Sequence, residues 1–180
     1  MPWDAGGTPA ELDQYLAAEG AGGRVLIPGC GTAYEVQAFL RAGYHVSAID
    51  FSPAAVEMAK LQIGALPAEL YFGDFFTYAF GVREFDVIYE RAFLASLPRA
   101  MWHDYAARVY ELLRQGGKLI GFFLYGDKQG GPPFCLANGE LGTLLGEYFE
   151  RTASLRVRNS VPVFEGLERW EVWDCLKPAT

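Results

Sequence analysis

The chain has 180 residues, of which 51% are hydrophobic and 15% aromatic, enough for one domain with its own core and too apolar for a disordered segment. Its formal net charge is -7 with no basic cluster, which argues against an extended phosphate-backbone footprint and so against a nucleic-acid partner. No uninterrupted apolar run reaches the ~18 residues of a membrane span.

Met1-Pro2-Trp3-Asp4 lacks the basic-then-apolar order of a secretory leader. Cys30, Cys135 and Cys175 are too few and too scattered for a disulfide framework, so a reducing, cytoplasmic setting is expected. Thr8-Pro9 then carries a helix-start signal, with Leu12, Tyr15 and Leu16 on one face and Gly20 as the stop. Val25-Leu26-Ile27 suits a buried strand, and Pro28-Gly29-Cys30-Gly31 turns tightly after it. Tyr34 to Ala42 has helical spacing and ends at Gly43. Tyr44 to Ile49 is a second strand, closed by Asp50. His45 within it reads as a packed strand residue, and Cys30 as a small packed residue.

Strand, glycine turn, helix, strand, acid is the order of a nucleotide site. Small residues admit a ligand to the backbone, and the carboxylate accepts from ribose hydroxyls. A dinucleotide fingerprint needs a third glycine where Tyr34 stands, and no P-loop pattern occurs. The short turn, with Asp50 following 19 residues after Gly31, suits a ligand with a ribose and no phosphates, such as S-adenosylmethionine.

Ser52-Pro53 opens a helix that ends near Gly64. Leu70-Tyr71-Phe72 is a brief strand followed by Gly73-Asp74-Phe75-Phe76, and Phe85 to Tyr89 is another strand. Trp102 to Leu113 reads as a helix closed by Gly116-Gly117, and Lys118 to Tyr125 as a long strand. A Gly- and Pro-rich loop covers 127–138, and Leu141 to Glu147 is a short helix. Leu155 to Val161 and Arg169 to Leu176 are expected as the last strands, joined across Glu165-Gly166. The alternation predicts one α/β domain over 1–180. Its fold is a Rossmann-like, doubly wound, seven-stranded sheet, mostly parallel with one antiparallel edge strand and with helices on both faces. The glycine turn, Asp50, Asp74 and Tyr89-Glu90-Arg91 all fall at the carboxyl ends of strands, where such sheets bind ligands. Glu90 and Arg91 also read as a simple surface ion pair.

Pro2-Trp3-Asp4-x-Gly6-x-x-Pro9, Val25 to Gly31, Asp50-Phe51-Ser52, Gly73 to Phe76 and Gly131-Pro132-Pro133-Phe134 occur in that order. This set resembles the thiopurine S-methyltransferase family, and its thiol and halide methyltransferase branch more than the thiopurine enzymes. The resemblance covers nearly the whole chain. It implies S-adenosylmethionine as cofactor and a small molecule as substrate; separately, no Cys/His spacing resembles a zinc site, so no metal is expected. It places Trp3 against the cofactor, Gly29 and Gly31 in the turn that approaches it, and Asp50 on the ribose with Phe51 beside it. Asp74 falls at the adenine amino group with Phe75 beside the ring, and Arg91 near the methionine end, where its fork would meet a carboxylate.

A thiol or halide is already a good nucleophile, so no dedicated catalytic acid or base is assigned. Tyr89, Tyr125 and Phe134, with Phe93 in addition, are candidates for an aromatic acceptor pocket. An oxygen, nitrogen or carbon acceptor is the alternative, as is a cofactor-binding module without turnover. Tyr89-Glu90-Arg91-Ala92 stands where a nucleic-acid methylase would carry an Asn-Pro-Pro-Tyr-type tetrad. Family members carry a covering segment ahead of Pro-Trp-Asp, whereas this sequence starts at Met1 directly before it: the lid is missing, replaced by another element or cut off with a truncated start, which leaves the acceptor open, and the sequence does not reveal the oligomeric state.

Overall fold

The computed structural model describes residues 7–19, 22–81, 84–127 and 130–178. In chain order the elements are α1 (Ala10–Glu19), β1 (Arg24–Pro28), α2 (Glu35–Arg41), β2 (His45–Asp50), α3 (Pro53–Ile63), β3 (Glu69–Phe72), β4 (Phe85–Arg91) and α4 (Phe93–Ser96). There follow α5 (Trp102–Leu112), β5 (Leu113–Leu124), α6 (Glu140–Leu145), β6 (Phe149–Arg156) and β7 (Glu168–Cys175). The seven strands form one sheet in the order β3-β2-β1-β4-β5-β7-β6. All neighbours are parallel except that β7 runs against both β5 and β6. The strand that opposes the rest therefore lies one place in from the edge, and β6 is the edge itself.

The strands bury both faces. Val25, Ile27, Val46 and Ala48 point to one side with Leu12 of α1, Phe39 of α2 and Ala59 of α3. Leu26, Ile49, Ile88 and Leu119 point to the other, with Phe93 of α4, Tyr105 and Val109 of α5 and Leu145 of α6. Period-2 alternation along strands buried on both faces produces these two cores. Ser52 caps α3 as its sequence implies, accepting from the Ala55 amide at 3.3 Å, with Pro53 in the first turn.

Three sequence expectations shift. The strand expected at Leu155–Val161 runs instead from Phe149 to Arg156. As an edge strand it buries only Phe149 fully, so Glu150-Arg151-Thr152 gives no apolar signal, and a register shift between Arg151 and Ala153 breaks the alternation further. Gly116-Gly117 does not interrupt the chain between helix and strand. α5 ends at Leu112 and β5 begins at once, with an irregular register that pairs Phe85 with Leu113 and Val87 with Lys118. His45 is exposed at the start of β2 rather than packed. Among the described residues no helix is long and apolar enough to cross a membrane.

Candidate active site

The strand order reverses between β1 and β4, which opens a crevice at their carboxyl ends. The glycine turn forms one wall. Gly29 and Gly31 have φ of +58° and +53°, a region open to glycine and costly for other residues. A Cβ at Gly29 would stand 2.4 Å from Cδ2 of Phe93, whereas a Cβ at Gly31 would meet no atom within 4 Å. The first glycine is thus required by the protein's own packing, and the second faces open space.

Asp50 braces this turn from the end of β2. Its Oδ2 accepts from the Gly31 amide at 3.0 Å and its Oδ1 from the Ser52 amide at 2.9 Å. Each oxygen keeps a further acceptor position, so the carboxylate can hold the turn and still receive two hydroxyl groups. Phe51, next to it, is 74% exposed, which is anomalous for a phenylalanine in a domain with two full cores. After β3, the Gly73 amide donates to the Asp50 carbonyl at 3.1 Å, bringing the third loop to the second. Exposed Asp74 accepts from the Phe76 amide at 2.9 Å through Oδ1. Phe75 is buried, edge-on to Phe93 with ring centres 5.3 Å apart. Gly29, Gly31, Asp50, Phe51, Asp74 and Phe75 are therefore gathered at one edge of the sheet. Trp3 lies outside the described residues.

Glu90 and Arg91 do not pair with each other. Consecutive strand residues face opposite ways, and β4 sends the two side chains into different cores. Arg91 donates to Oε1 of Glu35 at 2.6 Å and lies over the Phe122 ring at 5.6 Å. Glu35, in the first turn of α2, also receives a long contact from the Tyr89 hydroxyl at 3.5 Å. Glu90 is fully buried, accepting from the Leu94 amide at 3.0 Å and from the Tyr105 hydroxyl at 2.8 Å. Burial pushes its carboxyl up to about 7. The sequence offers Glu90 both as part of the strand-end set and as half of a surface ion pair, and the pair does not form. The only available signal of its burial was its place in the alternation of an otherwise buried strand.

The three aromatic pocket candidates part company. Phe134 is half-buried beyond β4 and β5, beside a tight packing gap that it shares with Glu90, Ala92, Phe122 and Leu124 and that has no room for a water. Its amide donates to the Ala95 carbonyl at 2.7 Å, which pins the Gly-Pro-Pro-Phe loop to α4. Tyr125 is buried beside that loop, but its hydroxyl turns inward to Oε1 of Glu171 at 3.0 Å, with the Arg169 guanidinium over its ring. Tyr89 is fully enclosed on the other face of the sheet, 5.4 Å from the Phe39 ring, and does not reach the crevice. Cys30 in the turn is buried, and burial with the nearby Asp50 pushes its thiol up to about 12, so it stays protonated and is no nucleophile near neutral pH.

The profile of the thiopurine S-methyltransferase family matches residues 1–174. The chain belongs to that family. It is 34% identical over 156 residues to probable thiol methyltransferase 2 of Arabidopsis thaliana, covering 79% of this chain and 69% of that protein. It is 33% identical over 142 residues to thiocyanate methyltransferase 1 of Brassica oleracea, covering 76% of this chain and 62% of that one. Among solved structures, the 1,6-didemethyltoxoflavin-N1-methyltransferase of Burkholderia thailandensis with bound S-adenosylhomocysteine shares the fold, with a TM-score of 0.74 at 20% identity over 93% of this chain and 78% of that one. A structure described for the conversion of a disulfide bond into a thioacetal group during echinomycin biosynthesis has a TM-score of 0.80 at 17% identity, over 99% of this chain and 87% of that one.

The family member described here is an S-adenosylmethionine-dependent methyltransferase. Its residues fit the cofactor on their own geometry. The second glycine of the turn opens onto space, a carboxylate with spare acceptor positions stands at the end of β2, and an exposed aromatic lies beside it.

Proposed function

We propose that the chain acts as one domain over 1–180 and methylates a small, soft nucleophile such as a thiol, thiocyanate or halide. The observation that carries this reading is the braced turn, in which Asp50 holds Gly31 and Ser52 by their amides while its carboxylate remains able to accept from a ribose. In this reading Gly29 and Gly31 admit the cofactor to the backbone, Asp50 accepts from its ribose, and Phe51 covers the adenine. Asp74 and Phe75 bound the adenine end, and Arg91, one arm of whose fork is held by Glu35, would reach the methionine end only with the other. S-adenosylmethionine supplies a methyl group made electrophilic by its sulfonium.

The chain's own task is then to align an acceptor and to exclude water, since transfer is an in-line displacement. Ala92 and Phe134, half-buried where the Gly-Pro-Pro-Phe loop meets α4, offer a small apolar wall that would strip water from a polarisable acceptor. A thiol is partly ionised near neutrality and thiocyanate or halide needs no deprotonation, so the wall suffices without a base. The names of the curated relatives support this acceptor class. Three free, buried cysteines support a reducing, cytoplasmic setting.

The test is a panel of thiols, thiocyanate, iodide and phenols incubated with methyl-labelled cofactor. Label on thiols or thiocyanate is expected. Label on phenols alone would refute the acceptor class, and no label on any acceptor despite cofactor binding would favour a binding module. Calorimetry of Asp50→Ala with S-adenosylhomocysteine tests the cofactor site separately, and unchanged affinity there would remove Asp50 from it.

A further inference from the structure

Glu90 lies in the core of a protein whose proposed chemistry does not use it. No cation faces it among the described residues, because Arg91 points to the opposite side of the sheet and pairs with Glu35. The elements packed around it bring Phe93, Leu94 and Ala95 from α4, Phe122, Phe123 and Leu124 from β5, and Phe134 and Leu136 from the following loop. Among the described residues the titratable group bonded to it is the Tyr105 hydroxyl of α5, whose own ionisation burial pushes well up, and the buried Glu171 carboxylate stands in the same row of the sheet beyond Gly121. Removing a carboxylate from water without a cation is costly unless strong hydrogen bonds compensate. A side chain kept at such a cost is fastening something.

What it fastens is α4. Its oxygens take the Leu94 amide, at 3.0 Å and 3.3 Å, and the Tyr105 hydroxyl, tying β4, α4 and α5 together. Between Glu90 and Leu94 the chain passes through Ala92 at φ +59°, a conformation that costs a non-glycine residue and persists only when its surroundings impose it. The residue delivered by that bend is Phe93. Its ring closes on the Cα of Gly29 and lies edge-on to Phe75, so one aromatic touches both the glycine turn and the adenine-side loop. Its ring centre lies 6.2 Å from that of Tyr105, so the same tyrosine that binds Glu90 also backs Phe93.

We infer that Glu90 is a positioning residue for the cofactor cleft: from inside the core it clamps α4 so that Phe93 holds the glycine turn and the Phe75 loop at their working separation. The inference rests on the reading of the Gly29, Asp50 and Asp74 edge as the cofactor site. The ionised carboxylate accepts both donors at once. The protonated acid must itself donate, so it no longer accepts from both donors as the carboxylate does. Burial places this change near neutral pH, about 7. The clamp is therefore tight above that pH and loose below it.

The test is titration of the intact protein with S-adenosylhomocysteine by calorimetry from pH 5.5 to 8.5, for wild type, Glu90→Gln and Tyr105→Phe. Wild-type affinity is expected to strengthen about fivefold as pH rises through about 7, the difference between a neutral and a charge-assisted hydrogen bond. Glu90→Gln, which resembles the protonated acid in shape, should hold the wild-type low-pH affinity throughout, with no step. Tyr105→Phe, which removes a bond favouring the ionised form, should move the step to higher pH. An identical pH profile in wild type and Glu90→Gln would overturn the inference, as would a lowered melting temperature with unchanged affinity at pH 8, the mark of a merely structural group. Should Glu90→Gln fail to fold, an unmoved step in Tyr105→Phe overturns it instead. A wild type that binds no S-adenosylhomocysteine at any pH would remove the cofactor reading and this inference with it, whereas binding without dependence on Glu90 removes the inference alone.

Discussion

Gly29 and Gly31 sit two residues apart with nearly the same φ, yet alanine should affect them by different routes. At Gly29 two penalties combine. Holding a non-glycine residue at +58° costs about 1–2 kcal/mol. The new Cβ would also lie 2.4 Å from the Phe93 ring, against an ordinary contact of 3.4–4 Å. That ring cannot retreat freely because Phe75 and Tyr105 pack behind it. Overpacking of this kind costs about 1–3 kcal/mol, partly offset by about 0.4–1 kcal/mol from a stiffer unfolded chain. The expected net loss for Gly29→Ala is about 2–4 kcal/mol, a fall in melting temperature of roughly 5–15 °C for a chain of this size. Gly31→Ala meets nothing, so only the backbone term remains, about 1 kcal/mol and a fall of about 2–4 °C. Its methyl group, however, points into the proposed cofactor cleft and should weaken S-adenosylhomocysteine binding by at least about tenfold, roughly 1.4 kcal/mol. Thermal melting and calorimetry on both variants separate the effects. Equal destabilisation of the two would refute the packing argument, and wild-type affinity in Gly31→Ala would refute the placement of the cleft. Phe93→Ala and Gly29→Ala together should cost less than the sum of the two alone, and strict additivity would count against the Phe93 contact.

Further outcomes follow from the same geometry. Asp50→Asn turns an amide group toward the Gly31 or Ser52 N–H, so cofactor affinity should fall about tenfold or more even though volume is unchanged, as read by calorimetry. Arg91→Ala strands the buried Glu35 carboxylate and should cost about 3 kcal/mol in denaturant unfolding, whereas adding Glu35→Gln should return most of it. Glu90 titrates in the folded protein near 7 rather than at the ordinary 4.5, because burial disfavours its charge. The native state therefore binds more protons than the unfolded chain between those values. Its contribution is fully present below pH 4.5 and is lost as pH rises through about 7, roughly 3 kcal/mol in all. Wild type should lose that stability relative to Glu90→Gln between pH 4 and pH 8, and a constant difference in melting would contradict the assigned burial. Glu171→Leu should destabilise strongly, since it leaves the Tyr125 and Ser154 hydroxyls and the Trp173 indole N–H without their shared acceptor.

The alternation of strands and helices, the glycine turn and the acid nineteen residues beyond it were legible in the chain because each is a local pattern. Buried strands show their apolar runs, and a cap such as Ser52-Pro53 is set by its own neighbours. The same patterns located the edge where a nucleotide-like cofactor would bind, because strand ends fall together in a parallel sheet. Tertiary structure decided what depends on partners distant in sequence. The polar edge strand β6 became visible only through its pairing with β7, as no burial period marks a strand with one neighbour. Glu90 and Arg91, adjacent in sequence, were separated by the pleat into two cores, one carboxylate closed in with Tyr105 and one guanidinium claimed by Glu35. Tyr89 and Phe134 look alike as aromatics, and only the direction of a strand residue and the course of a loop put the first in a core and leave the second half-buried beside α4. Local chemistry thus specified which residues could make a cofactor site, and long-range packing selected which of them face it.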